Sequence, residues 1–229
     1  MKPWQHRQWC IPPEQNAEFV YRMEALLDLY TEPYDPRRPT VCFDELPYQL
    51  VAETRRPRPA RPGQPARSDY EYRRGGTANV FLCRQPQAGW RHVTVTERRT
   101  KQDFAQQMRE LVDVYYPTAT VIRVVLDNLN THTGGALYEA FAPAEARRLL
   151  RKLEFHYTPK HGSWLNQAEI ELSVLSRQCL ARRIGERETL AAQAAAWERE
   201  RNEVCSLIHW RFTTADARAK LVHVYPTSS

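Results

Sequence analysis

The sequence predicts an α/β protein in which a mixed five-stranded sheet is flanked by helices, preceded by an N-terminal linker and helix. Two observations carry the prediction. Five short runs, 40–46, 77–83, 91–96, 120–126 and 153–157, are strand-length and rich in β-branched and aromatic residues. The later ones alternate with segments whose apolar residues recur at helical spacing. Strands that first run on consecutively and then alternate with helices call for a sheet of mixed direction.

Residues 1–12 mix Trp4, Trp9 and basic side chains and read as a linker. Residues 13–30 read as a helix, because Phe19, Met23, Leu26, Leu27 and Tyr30 fall on one face behind an entrance proline. Pro33, Pro36 and Pro39 end that pattern before the strand TVCFDEL at 40–46. The segment 55–76 is crowded with Pro and Gly and carries Arg55, Arg56, Arg58, Arg61, Arg67, Arg73 and Arg74. Such a composition does not pack a core, so it predicts either a solvated excursion or an arm laid along phosphates. Runs 77–83 and 91–96 form a hairpin through Pro86 and Gly89. Phe104, Met108, Leu111, Val112 and Tyr115 make the stripe of a helix over 102–116. TVIRVVL at 120–126 is the pattern of a strand buried on both faces. Helices are expected at 135–141 and 143–152, a strand at 153–157, and long helices at 163–183 and 188–203.

The 229 residues, 42% of them hydrophobic, suffice for a core. The formal charge of +6 suits a polyanionic partner, as does the predominance of arginine: lysine stands only at 2, 101, 152, 160 and 220 among the 33 basic residues. The five cysteines, at 10, 42, 83, 179 and 205, form no CxxC pair. They predict no structural zinc, a reducing cytoplasmic compartment, and Cys42 and Cys83 packed as small hydrophobes. No apolar stretch has the length of a membrane span.

Three carboxylates stand where a metal site is buildable. Asp44 lies late in the first strand and Asp127 at the carboxyl end of the buried one. If those strands are parallel neighbours, about 4.8 Å apart, both carboxylates reach the sheet end at which open α/β sheets bind ligands. On the expected helix 163–183, stepping about 100° per residue puts Glu169 beside the apolar stripe of Leu165, Leu172 and Cys179, and Glu171 on the far, solvent side. Taken alone, an aspartate at a strand end is more often a cap, and a lone helical glutamate is usually solvated.

The words around these residues are more specific. CFDE at Asp44, LDNLNTH at Asp127 and TPKHGSWLNQAEIELSVLSR at Glu169 resemble the DDE transposases of the mariner-like insertion-sequence group, also described as DDE superfamily endonucleases. GGTANVFL, GWRHVTVTERRT and WRFTTADAR extend the resemblance over residues 40–226. It implies a ribonuclease H-like fold for residues 40–229. It also implies Mg²⁺ or Mn²⁺, two ions, held by Asp44, Asp127 and Glu169. The reaction implied is cleavage at transposon ends followed by joining of the 3′-hydroxyl to target DNA. The family's Asn-x-x-Glu pattern falls on Asn166–Glu169, agreeing with the helical wheel. Arg55, Arg56, Arg58, Arg61, Arg73, Arg74, Asn128, His132, Lys160 and His161 are candidate DNA contacts, with Arg147, Arg148 and Arg151 as further phosphate grips. His132 either orients a phosphate or caps the following helix; Trp164 reads as packing. Partners implied are terminal inverted repeats, target DNA, a second copy on paired ends and a separately encoded helix-turn-helix region. Two departures stand out. Forty-one residues separate Asp127 from Glu169, a long interval filled by the extra helix at 143–152. Residues 1–39 contain no helix-turn-helix and read as the remnant of a connection to one. The rival readings are a stand-alone nuclease of the same fold and a truncated DNA-binding remnant without catalysis.

Overall fold

The computed structural model describes residues 11–12 and 14–227. The linker expected over the first ten residues and the entrance Pro13 lie outside these. The first helix, α1 (Ala17–Thr31), starts after Asn16, whose side chain accepts from the Phe19 amide and caps it. Five strands follow: β1 (Thr40–Glu53), β2 (Tyr72–Gln85), β3 (Trp90–Thr96), β4 (Ile122–Leu126) and β5 (Leu153–Tyr157). They stand in the order β3-β2-β1-β4-β5. β1, β2 and β3 pair antiparallel, while β4 runs parallel to both β1 and β5. This is the mixed five-stranded sheet the sequence predicts, in the ribonuclease H-like order.

Helices cover both faces. On one, Phe19, Met23, Leu26 and Leu27 of α1 share a core with Leu165, with Ala168, Leu172 and Leu175 of α5 (Gln167–Gln178), and with Trp197 of α6 (Arg187–Glu203). On the other, Phe43 and Phe81 of the sheet meet Phe104 and Met108 of α2 (Lys101–Glu110). Leu137 and Leu149 complete that core from α3 (Gly134–Ala140) and α4 (Pro143–Leu150). β4 is buried along its whole length, as its unbroken apolar run requires. Cys42 and Cys83 are buried thiols, and burial pushes Cys42 up to about 11. A short α7 (Thr214–Lys220), which the sequence reading did not mark, packs against α1. Among the described residues no helix is long and apolar enough to cross a membrane.

Several boundaries differ from expectation, among them the end of the helix drawn to 183, which stops at Gln178. β1 runs on from residue 46 to Glu53 through Pro47, and β2 begins at Tyr72, so Arg73 and Arg74 belong to a strand and not to the loop. Beyond Cys42, β1 pairs on its β2 side alone, so a residue without an N–H is tolerated there. The basic excursion is accordingly the end of a two-stranded arm, with bridges Arg58↔Arg67 and Arg61↔Gln64. The helix expected over 163–183 begins instead as a 3₁₀ turn, Ser163–Leu165, and becomes α-helical only after Asn166. The chain after that helix then crosses the arm closely. The Val51 amide donates to the Ile184 carbonyl at 2.9 Å, and a Cβ on Gly185 would lie 2.6 Å from that of Ala52.

Candidate active site

The β1–β4 register is Thr40↔Arg123, Val41↔Val124 and Cys42↔Val125. Continued for two residues, it sets Asp44 level with Asp127, just past the carboxyl end of β4. Glu169 comes to the same end from α5, which packs on β1. Asn166 fixes that approach. Its Nδ2 donates to the carbonyl of Phe43, the residue before Asp44, at 2.9 Å, and its Oδ1 accepts from the Ala168 amide at 3.1 Å to cap α5. One buried amide thus ties the strand bearing Asp44 to the helix bearing Glu169.

The three acids differ in their electrostatics. Burial pushes the Asp44 carboxyl up to about 7, with Glu169, Glu45 and Asp127 adding repulsion and a hydrogen bond from the Glu45 amide opposing it. Burial also raises Glu169; the Ser163 hydroxyl works the other way, and Asp127 adds to the rise. Among the described residues neither Asp44 nor Glu169 pairs with a basic side chain. Asp127 is different: its Oδ1 meets His132 Nδ1 at 2.6 Å. The other ring nitrogen, Nε2, faces Glu45 Oε2 at 3.1 Å. Burial disfavours a charged imidazole, but hydrogen bonds to Asp127 and Glu45 outweigh it and lift His132 to about 9. The two carboxylates that clasp His132 thus favour its charged form. Adjacent strand residues point to opposite faces, so Asp44 faces α5 while Glu45 faces the α2–α3 side, where His132 packs edge-on to Phe43.

Several expectations need correction. His132 is 1% exposed, so its ring does not reach a DNA backbone; it holds Asp127. Asn128 is exposed, and its amide accepts from Arg22 Nη1 at 3.0 Å and donates to the Thr158 carbonyl at 2.6 Å. Arg148 is gripped by Asp113 and Glu145. Trp164, by contrast, stacks on Trp210 in the packing role expected of it. The largest departure is Glu171, expected on the solvent face but fully buried among Arg84, Arg91 and Arg201. The buried residues of α5 are Gln167, Ala168, Glu171, Leu172 and Leu175. With Leu165 they span roughly 160° of the wheel, centred well away from Glu169, and the arginines come from β2, β3 and α6. The sequence reading also missed Glu45, Arg22 and Ser163. Glu45 sits inside the CFDE word beside Asp44, but nothing local signals its partner 87 residues on.

The remaining basic candidates are spread out. Arg56, Arg58, Arg61 and Arg67 line a cleft of about 920 Å³ at the tip of the arm. Arg55 pairs with Asp69 at 3.1 Å. Arg73 and Arg74 are exposed on β2, and Lys160 and His161 on the loop before α5. His161 holds a φ of 64°, a left-handed conformation uncommon outside glycine.

A metal fits this donor set. Two Asp and one Glu offer hard oxygen ligands, and the half-buried Asp44 has repelling carboxylates and no ion-pair partner among the described residues. Among the described residues, no three His, Cys, Asp or Glu side chains are grouped closely enough to hold a metal ion, so this donor set is suited by its chemistry and not by an assembled geometry. Acidic side chains at the end of a ribonuclease H-like sheet are the residue types a metal-dependent enzyme acting on phosphodiesters uses.

Comparison with known proteins agrees. Residues 39–191 match the family described as DDE superfamily endonuclease, and the chain belongs to that family. A search of curated proteins found no match. Among solved structures, the chain is similar to the crystal structure of a pre-cleavage Mos1 transpososome, with TM-score 0.53 and 20% identity over 87% of this chain and 65% of that one. It is similar too to the crystal structure of the Mos1 mariner paired end complex with Mn, with TM-score 0.50 and 20% identity over 87% of this chain and 64% of that one. At that identity the likeness speaks to the fold. The chain spans under two thirds of the length of those proteins.

Proposed function

We propose that this chain is the catalytic part of a DNA transposase, cutting phosphodiesters at the ends of a mobile element and joining the freed 3′-hydroxyl to target DNA. The observation that supports this reading is the β1–β4 register, which continued sets Asp44 level with Asp127, with Glu169 near enough to add repulsion at the half-buried Asp44. In this reading residues 40–229 are the catalytic domain and residues 1–39 connect it to DNA-recognising parts of a larger assembly. Asp44 and Asp127 together, with Glu169 completing the second position, hold two Mg²⁺ or Mn²⁺ ions. Those ions, when bound, activate the attacking oxygen and steady the leaving one. His132 and Glu45 keep one oxygen of Asp127 fixed, leaving the other for the ion; Asn166 keeps Glu169 in reach. Arginines of the arm take backbone phosphates of terminal repeats and target, a second copy completing a paired-end assembly. The likeness to the Mos1 complexes, whose descriptions name a paired end complex and Mn, supports this reading.

The test uses a duplex carrying an element end, the full chain and Mg²⁺. Asp44→Ala, Asp127→Ala and Glu169→Ala each lose cleavage while keeping DNA binding by fluorescence anisotropy. Normal cutting by Asp127→Ala overturns the assignment. Strand transfer from a pre-cut end distinguishes a transposase from a nuclease of the same fold.

A further inference from the structure

Beside the acidic sheet end a second feature opens. α1 and the carboxyl end of β5 bound a cleft of about 230 Å³, lined by Tyr21, Arg22, Ala25, Leu26, His156 and Tyr157. That volume is the share of roughly eight liquid waters, room for one flat ring system and not for a duplex. The cleft is built into the site. Arg22 reaches Asn128, the residue after Asp127, and Asn128 in turn holds the Thr158 carbonyl just past β5. The Tyr157 hydroxyl donates to the His132 carbonyl at 2.8 Å. Arg22 and Tyr157 are thus one hydrogen bond from residues flanking or gripping Asp127.

The lining has the chemistry of a nucleotide, not of a protein contact. Tyr21 is a bare aromatic, 70% exposed, with no core role. Arg22 is partly exposed, and its other partner, Glu18 at 2.5 Å, is an exposed pair one helical turn back. Such pairs hold weakly, and a phosphate in their place makes a charge-assisted bond. The His156 ring, anchored by Glu154 at 2.7 Å, supplies a second flat surface.

We propose that Tyr21, Arg22 and His156 form a subsite for one unpaired nucleotide of the DNA strand next to the cut end, the base stacking on Tyr21 and its phosphate taken by Arg22. This rests on the reading of the chain as a DNA-cutting enzyme. It adds a requirement that the duplex fray at the end being processed, so that one base enters the cleft.

The experiment measures binding of the full chain in EDTA, so that nothing is cut, to two duplexes: one blunt, one with a short 3′ single-stranded extension carrying 2-aminopurine. The wild type binds the extended duplex more tightly and quenches its fluorescence as the base stacks. Tyr21→Ala loses the quench and about tenfold of affinity for the extended duplex, leaving the blunt one unchanged. Arg22→Ala lowers the salt slope on the extended duplex by about 0.7, and Arg22→Lys restores it. A wild type that binds both duplexes alike, or a Tyr21→Ala variant that quenches and binds as the wild type does, overturns the subsite. Cleavage by Asp127→Ala is read separately. Loss of cutting there with no effect of Tyr21→Ala leaves the enzyme reading standing and removes only this subsite.

Discussion

Glu171 offers the sharpest test of the packing argument. Its side chain and those of Arg84 and Arg91 are fully buried, while Arg201 keeps about a fifth of its surface exposed. One carboxylate thus answers three guanidiniums, with Arg91 Nε and Arg201 Nη2 each 3.0 Å from Oε1. Burial already pulls Arg91 down to about 10 in spite of the Glu171 carboxylate. The Ser206 carbonyl accepts from Arg84 at 3.0 Å and Arg91 at 2.8 Å, tying the segment after α6 to the cluster. Glu171→Ala leaves two cations in the core with no counter-charge, a change that costs about 3–5 kcal/mol. Against a total stability of roughly 5–15 kcal/mol, that is a large fraction. For a chain of this length it lowers the melting temperature by roughly 6–20 °C. Arg201→Ala, at the exposed edge, costs about 1 kcal/mol. The assay is urea unfolding followed by far-UV circular dichroism, with the slope held common to all variants. A Glu171→Ala midpoint within about 1 kcal/mol of wild type would refute the claim that this carboxylate is what makes two buried arginines tolerable.

Asp44 gives a prediction of opposite sign. Its folded pKa of about 7 lies above the ordinary carboxylate value, so between about pH 4 and 7 the folded chain holds more protons than the unfolded one and stability falls as pH rises. Asp44→Asn removes that cost: the variant melts higher than wild type at pH 8, by about 1–4 kcal/mol, and the gain vanishes by pH 4, as scanning calorimetry in EDTA would show. An equal gain at both pH values would exclude charge as its source. Asn166→Ala removes a helix cap and strands the Phe43 carbonyl, together about 2–4 kcal/mol by denaturant titration. A loss under about 1 kcal/mol would show that the strand–helix tie is not made through this amide.

Much of this architecture is written locally. β4 is placed by an unbroken apolar run, because a strand buried on both faces leaves no room for polar interruption, while β3 and β5 are placed by short β-branched and aromatic stretches between turn residues. The stripe from Phe104 places α2, though its last turn, Leu111–Tyr115, widens into a π-helix that periodicity does not distinguish. What stayed hidden depends on partners far along the chain. The extension of β1 past Pro47 needs β2 to accept it, and only the pairing Pro47↔Asn79 shows that. The true start of α5 was available in Asn166, a good cap before QAEIEL, but the periodicity of Trp164 and Leu165 drew the boundary too early. At the site, Asp44 and Asp127 were legible as strand-end acids inside family-specific words. The His132–Glu45 clasp was not, because each partner looks ordinary until the sheet brings them within 3.1 Å.

Glu169 and Glu171, two residues apart on one helix, show how the fold separates structural charge from chemical charge. Two residues turn a helix by about 200°, so the pair cannot share a surroundings. Glu171 turns toward β2, β3 and α6 and is fully neutralised by arginines; nothing further can bind it. Glu169 turns to the sheet end, where its neighbours are Asp44 and Asp127 and no basic side chain among the described residues answers it. Glu169 is exposed and Glu171 fully buried, so solvent answers the first carboxylate where three arginines must answer the second. Of the two, Glu169 alone is left open to a further ligand.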